Sequence, residues 1–153
     1  MYIDYLNVEK FGIFKIVANN DFLISVNLTT NIKTTNPNQI TNQAKNQLIN
    51  YFNKKLTNFD LPLNLSTLSP FTQKTLNGLL NVQYAQTISY KELAIIIGNK
   101  KAFRAVGSAL GKNPYIIILP CHRIIKSNND TGNYTCIDKS LKQKLIDFEK
   151  SIN

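Results

Sequence analysis

The chain has 153 residues, 43% of them hydrophobic and 10% aromatic, with 18 Lys/Arg against 9 Asp/Glu for a net charge of +9. That length allows one solid core or two small domains and excludes large multidomain machinery, while the hydrophobic content excludes intrinsic disorder. No run approaches the ~18 apolar residues of a membrane span, and Met1-Tyr2-Ile3-Asp4 lacks the basic and apolar regions of a signal peptide, so a soluble cytoplasmic protein without membrane contact is expected.

In chain order, Tyr2 to Val8, Gly12 to Val17 and Phe22 to Leu28 mix apolar and polar residues at short period, with Asn19-Asn20-Asp21 as a turn signal. They read as three strands of a hairpin or meander. After the polar stretch 29–38, Ile40, Ala44, Leu48 and Tyr51/Phe52 recur at three to four residues, which predicts a helix covering the sheet. Residues 61–65 read as a connection. Ser69-Pro70 supplies an N-cap with Pro in the first turn and opens a helix to about Val82. Ser89-Tyr90-Lys91-Glu92 is a capping box that starts a short helix ending at Gly98. Gly98-Asn99-Lys100 then turns into a helix with Ala102, Phe103, Val106 and Leu110 on its apolar stripe, ended by Gly111-Lys112-Asn113-Pro114.

Two short helices across a three-residue, Gly-containing turn make a helix-turn-helix pattern, one that many helix pairs share. Lys100, Lys101 and Arg104 crowd the start of the second helix, where DNA readers place their contacts. The charge follows the same asymmetry: residues 1–90 hold seven basic and four acidic side chains, residues 91–153 eleven and five. The C-terminal part is therefore the better surface for nucleic acid, with a mere solubility charge as the plainer alternative. Tyr115 to Leu119 is a continuous apolar run and predicts a buried extended segment. A final helix over 138–150 turns Leu141, Leu145, Ile146 and Phe148/Glu149 inward.

Pro120-Cys121-His122-Arg123 carries the chemistry. A cysteine after five apolar residues is by default a small buried hydrophobe. Here its neighbours are the only histidine of the chain and a fixed positive charge, and both favour the thiolate. On an extended backbone the side chains of Cys121 and His122 diverge, so a proton passes between them only through a water or a turn. Cys121, His122 and Cys136 are metal-ligand types, but without a Cys-x-x-Cys pair or a second His no metal site is expected. Without an export signal, both cysteines are expected to remain thiols.

Ile88-Ser89-Tyr90, Gly98-Asn99, Arg104-Ala105-Val106-Gly107-Ser108-Ala109-Leu110, Asn113-Pro114, Pro120-Cys121-His122-Arg123-Ile124 and Gly132-Asn133-Tyr134 together resemble the O6-alkylguanine-DNA alkyltransferases, with that family's relative spacing from Tyr90 to Tyr134. The resemblance implies an α+β fold. A small strand-plus-helix domain with a ribonuclease H-like sheet would span 1–65, and a mainly helical domain with a winged helix-turn-helix-like element would span 66–153. It implies a monomer without cofactor that binds double-stranded DNA, flips out O6-alkylguanine or O4-alkylthymine, and moves the alkyl group irreversibly onto Cys121 in a direct-reversal, single-turnover repair. His122, relayed by water and held by Glu149, would take the thiol proton. Asn113 would order the turn beside Cys121, and Tyr90 would donate its hydroxyl toward the base and rotate its phosphate. Arg104 would enter the base stack, Asn99 and Ser127 would touch the DNA backbone, and Pro120, Ile124, Tyr134 and Thr135 would line the alkyl and base pocket. Thr135-Cys136-Ile137 stand where the family has small residues or Gly.

Arg123, buried beside the nucleophile, requires a carboxylate partner, expected from Asp21 or another acid of the N-terminal domain. Two other function classes suit a Cys-His site on a basic chain. A non-enzymatic binder of alkylated DNA would not need Cys121, and a cysteine hydrolase would need an oxyanion hole.

Overall fold

Apolar alternation makes the start of the chain a sheet. β1 (Tyr2–Val8), β2 (Gly12–Ala18) and β3 (Leu23–Thr29) pair antiparallel in that order, in a computed structural model that describes residues 1–134 and 136–151. The register Leu6↔Phe14↔Leu28 and Asp4↔Ile16↔Val26 puts Phe14, Ile16 and Ala18 on one face, all fully buried. Between β2 and β3, the Asn19 side-chain oxygen accepts from the backbone N–H groups of Asp21 and Phe22 at 2.8 and 2.7 Å, an Asx turn.

α1 (Gln39–Phe52) covers this sheet. Asn38 caps it by accepting from the Thr41 N–H, and the Thr41 hydroxyl accepts from the Asn38 N–H in return. Ile40, Ala44, Leu48 and Tyr51 form its buried face against β1 and β2. Each large side chain so buried contributes about 1.5–3 kcal/mol. These elements make up one unit, Met1–Asn64.

The second unit begins at Leu65 and is mainly helical. α2 (Pro70–Gly78) starts at Ser69, whose hydroxyl accepts from the Thr72 N–H at 3.2 Å, and tightens into a single 3₁₀ turn over Leu79–Asn81. Glycine is needed at position 78, because a Cβ there would lie 2.7 Å from Ile97 Cγ2. β4 (Ile88–Ser89) runs directly into α3 (Tyr90–Ile96), and the Ser89/Glu92 capping box forms there. The connection to α4 (Phe103–Leu110) occupies residues 97–102, longer than the three-residue turn expected. Gly98, at φ 81°, stops α3, and Ala102 provides no side-chain cap for α4. α5 (Leu141–Lys150) starts three residues later than expected, because Asp138 Oδ1 accepts from the Ser140 N–H and hydroxyl in a local turn.

Residues 115–119 differ from the sequence expectation. All five are buried, as an apolar run requires, but they coil instead of extending. Ile117 has φ 71°, the Leu119 N–H bonds the Tyr115 carbonyl at 3.0 Å, and the Ile118 N–H bonds the Ile116 carbonyl at 2.8 Å. Asn113 ties both ends of the coil: its Oδ1 accepts from the Tyr115 N–H and its Nδ2 donates to the Leu119 carbonyl, each at 2.9 Å. A buried strand would need a neighbouring strand for its backbone groups, whereas a coil closed by one amide meets that demand locally. Cys121–Arg123 then make one 3₁₀ turn, and β5 (Ile124–Ile125) pairs parallel with β4. This short ladder joins the start of α3, with Tyr90, to the Cys121 turn. No helix among the described residues is long and apolar enough to cross a membrane.

Candidate active site

Cys121 sits at the end of the Asn113-tied coil, 3% exposed. Its Sγ accepts from Asn113 Nδ2 at 3.2 Å, so one amide both shapes the loop and touches the sulfur. Burial pushes the thiol up to about 11, against the opposing effects of the Asn113 hydrogen bond and the Lys142 charge. The sequence shows His122 and Arg123 as charges that favour a thiolate, whereas burial acts in the opposite direction. Desolvation outweighs the Asn113 hydrogen bond and the Lys142 charge, which favours the neutral thiol.

His122 is fully buried one residue on, in the 3₁₀ turn and not in an extended strand. Its Nε2 is 2.6 Å from Glu149 Oε2. Arg123 binds the same carboxylate, Nε to Oε1 at 2.9 Å and Nη2 to Oε2 at 3.2 Å, and its Nη1 donates to the Val82 carbonyl at 2.8 Å. The partner of Arg123 is thus Glu149 of its own unit, in place of the N-terminal carboxylate expected. The helical period of α5 turns Glu149 inward with Leu145 and Ile146, within reach of the turn that carries Arg123. Burial alone would raise the Glu149 carboxyl, but the hydrogen bonds and charges of His122 and Arg123 hold it well below the usual carboxylate range. Burial likewise pushes the His122 imidazole down, more than Glu149 raises it. An ionised Glu149 only accepts, so His122 Nε2 carries the hydrogen and Nδ1 the lone pair. Nδ1 is buried and has no hydrogen-bond partner among the described residues.

A cavity of about 730 Å³ leads to Cys121 and is walled by Tyr90, Phe103, Arg104 and Tyr134, with Ser127 and Asn133 also lining it. Lys91, Arg104 and Lys126 line it, and among the described residues no carboxylate does, which favours an anionic ligand. Tyr90 is held by two neighbours. A Cβ on Gly132, which has φ 75°, would lie 2.7 Å from the Tyr90 hydroxyl, so glycine is required for this approach. On the α5 side, Lys142 Nζ is 3.4 Å from Tyr90 Oη, 3.2 Å from the Asn133 carbonyl and 5.5 Å from the Tyr90 ring centroid. An ammonium only donates, so the Tyr90 oxygen accepts from Lys142 and its own hydrogen stays available. Burial, and next Cys121 whenever it is ionised, raises the Tyr90 phenol and keeps it protonated.

Lys142 is 1% exposed, and burial lowers its ammonium to about 8. Lys142 is absent from the residues that the sequence singles out. Its spacing from Leu145, Ile146 and Glu149 places it on the buried stripe of α5, and that periodicity was the available signal. Among the other expected residues, Arg104 is exposed on the cavity wall and Asn99 is exposed in the α3–α4 connection, away from the cavity lining. Pro120 and Ile124 are buried and do not line the cavity. Thr135 lies outside the described residues. Cys136 is buried, its thiol raised by burial and donating to the Asp138 carbonyl at 3.0 Å. No group of three metal-ligating side chains occurs among the described residues.

Residues 70–151 match the DNA binding domain of 6-O-methylguanine DNA methyltransferase, and residues 1–65 match its ribonuclease-like domain. Over 98 residues the chain is 43% identical to a probable methylated-DNA–protein-cysteine methyltransferase of Acanthamoeba polyphaga mimivirus, an alignment covering 64% of this chain and 62% of the viral protein. It is 39% identical over 110 residues to the methylated-DNA–protein-cysteine methyltransferase of Methanosarcina barkeri, covering 71% of this chain and 68% of that one. The sequence match thus spans about two thirds of these relatives' length. The fold superposes on Mycobacterium tuberculosis OGT in complex with DNA with a TM-score of 0.85 at 31% identity, covering 98% of this chain and 93% of that one.

Proposed function

The chain belongs to the 6-O-methylguanine DNA methyltransferase family, and on that premise we propose that it repairs DNA directly, moving the alkyl group of an O6-alkylguanine in duplex DNA irreversibly onto Cys121 Sγ. The observation that carries this reading is the buried Cys121 on a cation-lined cavity, beside a histidine whose free Nδ1 lone pair is set by Glu149.

A base within the duplex is shielded, so reaction at O6 requires flipping, at a cost of a few kcal/mol. Arg104, exposed on the cavity wall, stacks in the place of the extruded base, while Ser127 and Asn99 contact the backbone. Once the base fills the cavity, the Cys121 proton passes through a bridging water to His122 Nδ1. The thiolate sulfur attacks the alkyl carbon, the carbon–O6 bond breaks, and its electron pair moves into the guanine. Tyr90, whose oxygen accepts from Lys142, donates its O–H to the ring and stabilises that developing charge. Glu149 stabilises the imidazolium formed on His122. The thioether has no hydrolysis route, so each molecule reacts once. Until substrate arrives the high thiol pKa keeps Cys121 unreactive toward other electrophiles.

Intact-mass spectrometry after mixing with excess O6-methylguanine duplex tests this. One added methyl per chain, mapped to Cys121 and lost in Cys121→Ser, is the expected result. Binding without mass gain would leave a damage-recognition protein, and repeated turnover of an ester or amide would indicate a hydrolase.

A further inference from the structure

We propose that Phe103 is a second stacking side chain of the DNA interface, placed to lie against a base beside the gap that the flipped nucleotide leaves. The proposal rests on the alkyl-transfer reading above. Apolar periodicity assigns Phe103 to the core stripe of α4, but the buried residues of that helix are Val106, Ala109 and Leu110. Phe103 stays half-buried at the first turn and lines the same cavity as Arg104, Tyr90 and Cys121.

The stripe it occupies continues with Gly107 and Gly111, one and two turns on, both also on the cavity wall. A Cβ on Gly107 would lie 3.7 Å from the Tyr90 ring, so this is the stripe that faces Tyr90, and it carries no side chain beyond Phe103 itself. The Lys91 ammonium lies 5.4 Å from the Phe103 ring centroid. Lys91 and Arg104, the next residue after Phe103, are both exposed and line the same cavity. An aromatic ring on a cavity wall that also carries cations is the composition that takes unstacked nucleotides, the ring against a base face and the cations against phosphates. Arg104 fills the vacated position, and Phe103, one residue earlier on the same helix start, covers the neighbouring base that flipping leaves without its stacking partner.

Phe103→Ala, Phe103→Leu and Phe103→Trp are compared with the parent chain in single-turnover methyl transfer from an O6-methylguanine duplex and from the free O6-methylguanine base, with 2-aminopurine placed next to the lesion in the duplex. The ratio of duplex rate to free-base rate should fall about 5- to 150-fold in Phe103→Ala, the loss of one base–aromatic stack. It should fall comparably in Phe103→Leu and recover in Phe103→Trp, and quenching of 2-aminopurine by the ring should follow the same order. Recovery by Leu, or equal losses on both substrates, overturns the proposal, because the ring would then only fill space. If the parent chain transfers from neither substrate, the alkyl-transfer reading fails, and the 2-aminopurine series still decides whether the ring stacks.

Discussion

Replacing Lys142 by Met should change how stability depends on pH, by an amount that follows from its burial. The ammonium ordinarily titrates at 10.5 and is lowered to about 8 in the fold, chiefly by desolvation. The unfolded chain therefore holds this proton more tightly, and folding carries a penalty of about 3 kcal/mol near pH 7 that shrinks to about 1 kcal/mol near pH 10. The sign is that of a depressed group: the penalty is absent above the unfolded value and complete once pH has fallen through the folded one. Met has similar length and no charge, so the penalty is absent from the variant at every pH. Lys142→Met also loses the hydrogen bonds to Tyr90 and the Asn133 carbonyl, an offset that largely cancels when two pH values are compared. In urea titrations of both proteins near pH 7 and pH 10, the stability difference should move by about 2 kcal/mol in favour of the parent chain as pH rises. A difference that stays constant would refute the buried-cation assignment. The same variant should slow methyl transfer, because the Tyr90 oxygen would lose its donor.

Other perturbations act on the same network. Glu149→Gln leaves Arg123 buried without a carboxylate and should cost about 3–5 kcal/mol in urea unfolding while slowing transfer in single-turnover assays. Burial holds His122 down, and His122 and Arg123 together hold Glu149 down, so both take up protons more readily when unfolded. Melting temperature should consequently fall as pH drops below the ordinary histidine value of 6.5 and further below the ordinary carboxyl value of 4.5, with the lower segment flattened in Glu149→Gln. Gly132→Ala would set a methyl 2.7 Å from the Tyr90 hydroxyl at φ 75°. It should cost about 1–2 kcal/mol of stability and reduce transfer by about 10-fold or more. An unchanged rate in that variant, alongside a slow Tyr90→Phe, would mean that the hydroxyl tolerates displacement.

Much of the local structure, and the side chains gathered at the candidate site, were legible in the chain because they are local. The capping box at Ser89 starts a helix by its own hydrogen bonds, and three strands follow from alternation and an Asx turn. The run Pro120-Cys121-His122-Arg123 concentrates a thiol, an imidazole and a cation within four residues. What tertiary structure alone decided depends on partners distant in sequence. Asn113 supplies the backbone bonds that an apolar run was expected to find in a strand, so residues 115–119 coil and present Cys121 in a turn. Arg123 takes Glu149 because α5 brings that carboxylate to the 3₁₀ turn, a pairing that no local pattern encodes. The places of Phe103, half-buried on the cavity wall, and of Lys142, buried on α5, have the same origin. Hydropathy ranks side chains by composition, whereas the cavity beside Tyr90 draws the aromatic to its wall and buries the ammonium behind the phenol. The charge state of Cys121 is decided there too, because the sequence shows which charges are nearby but only the fold sets how much water remains to stabilise the thiolate.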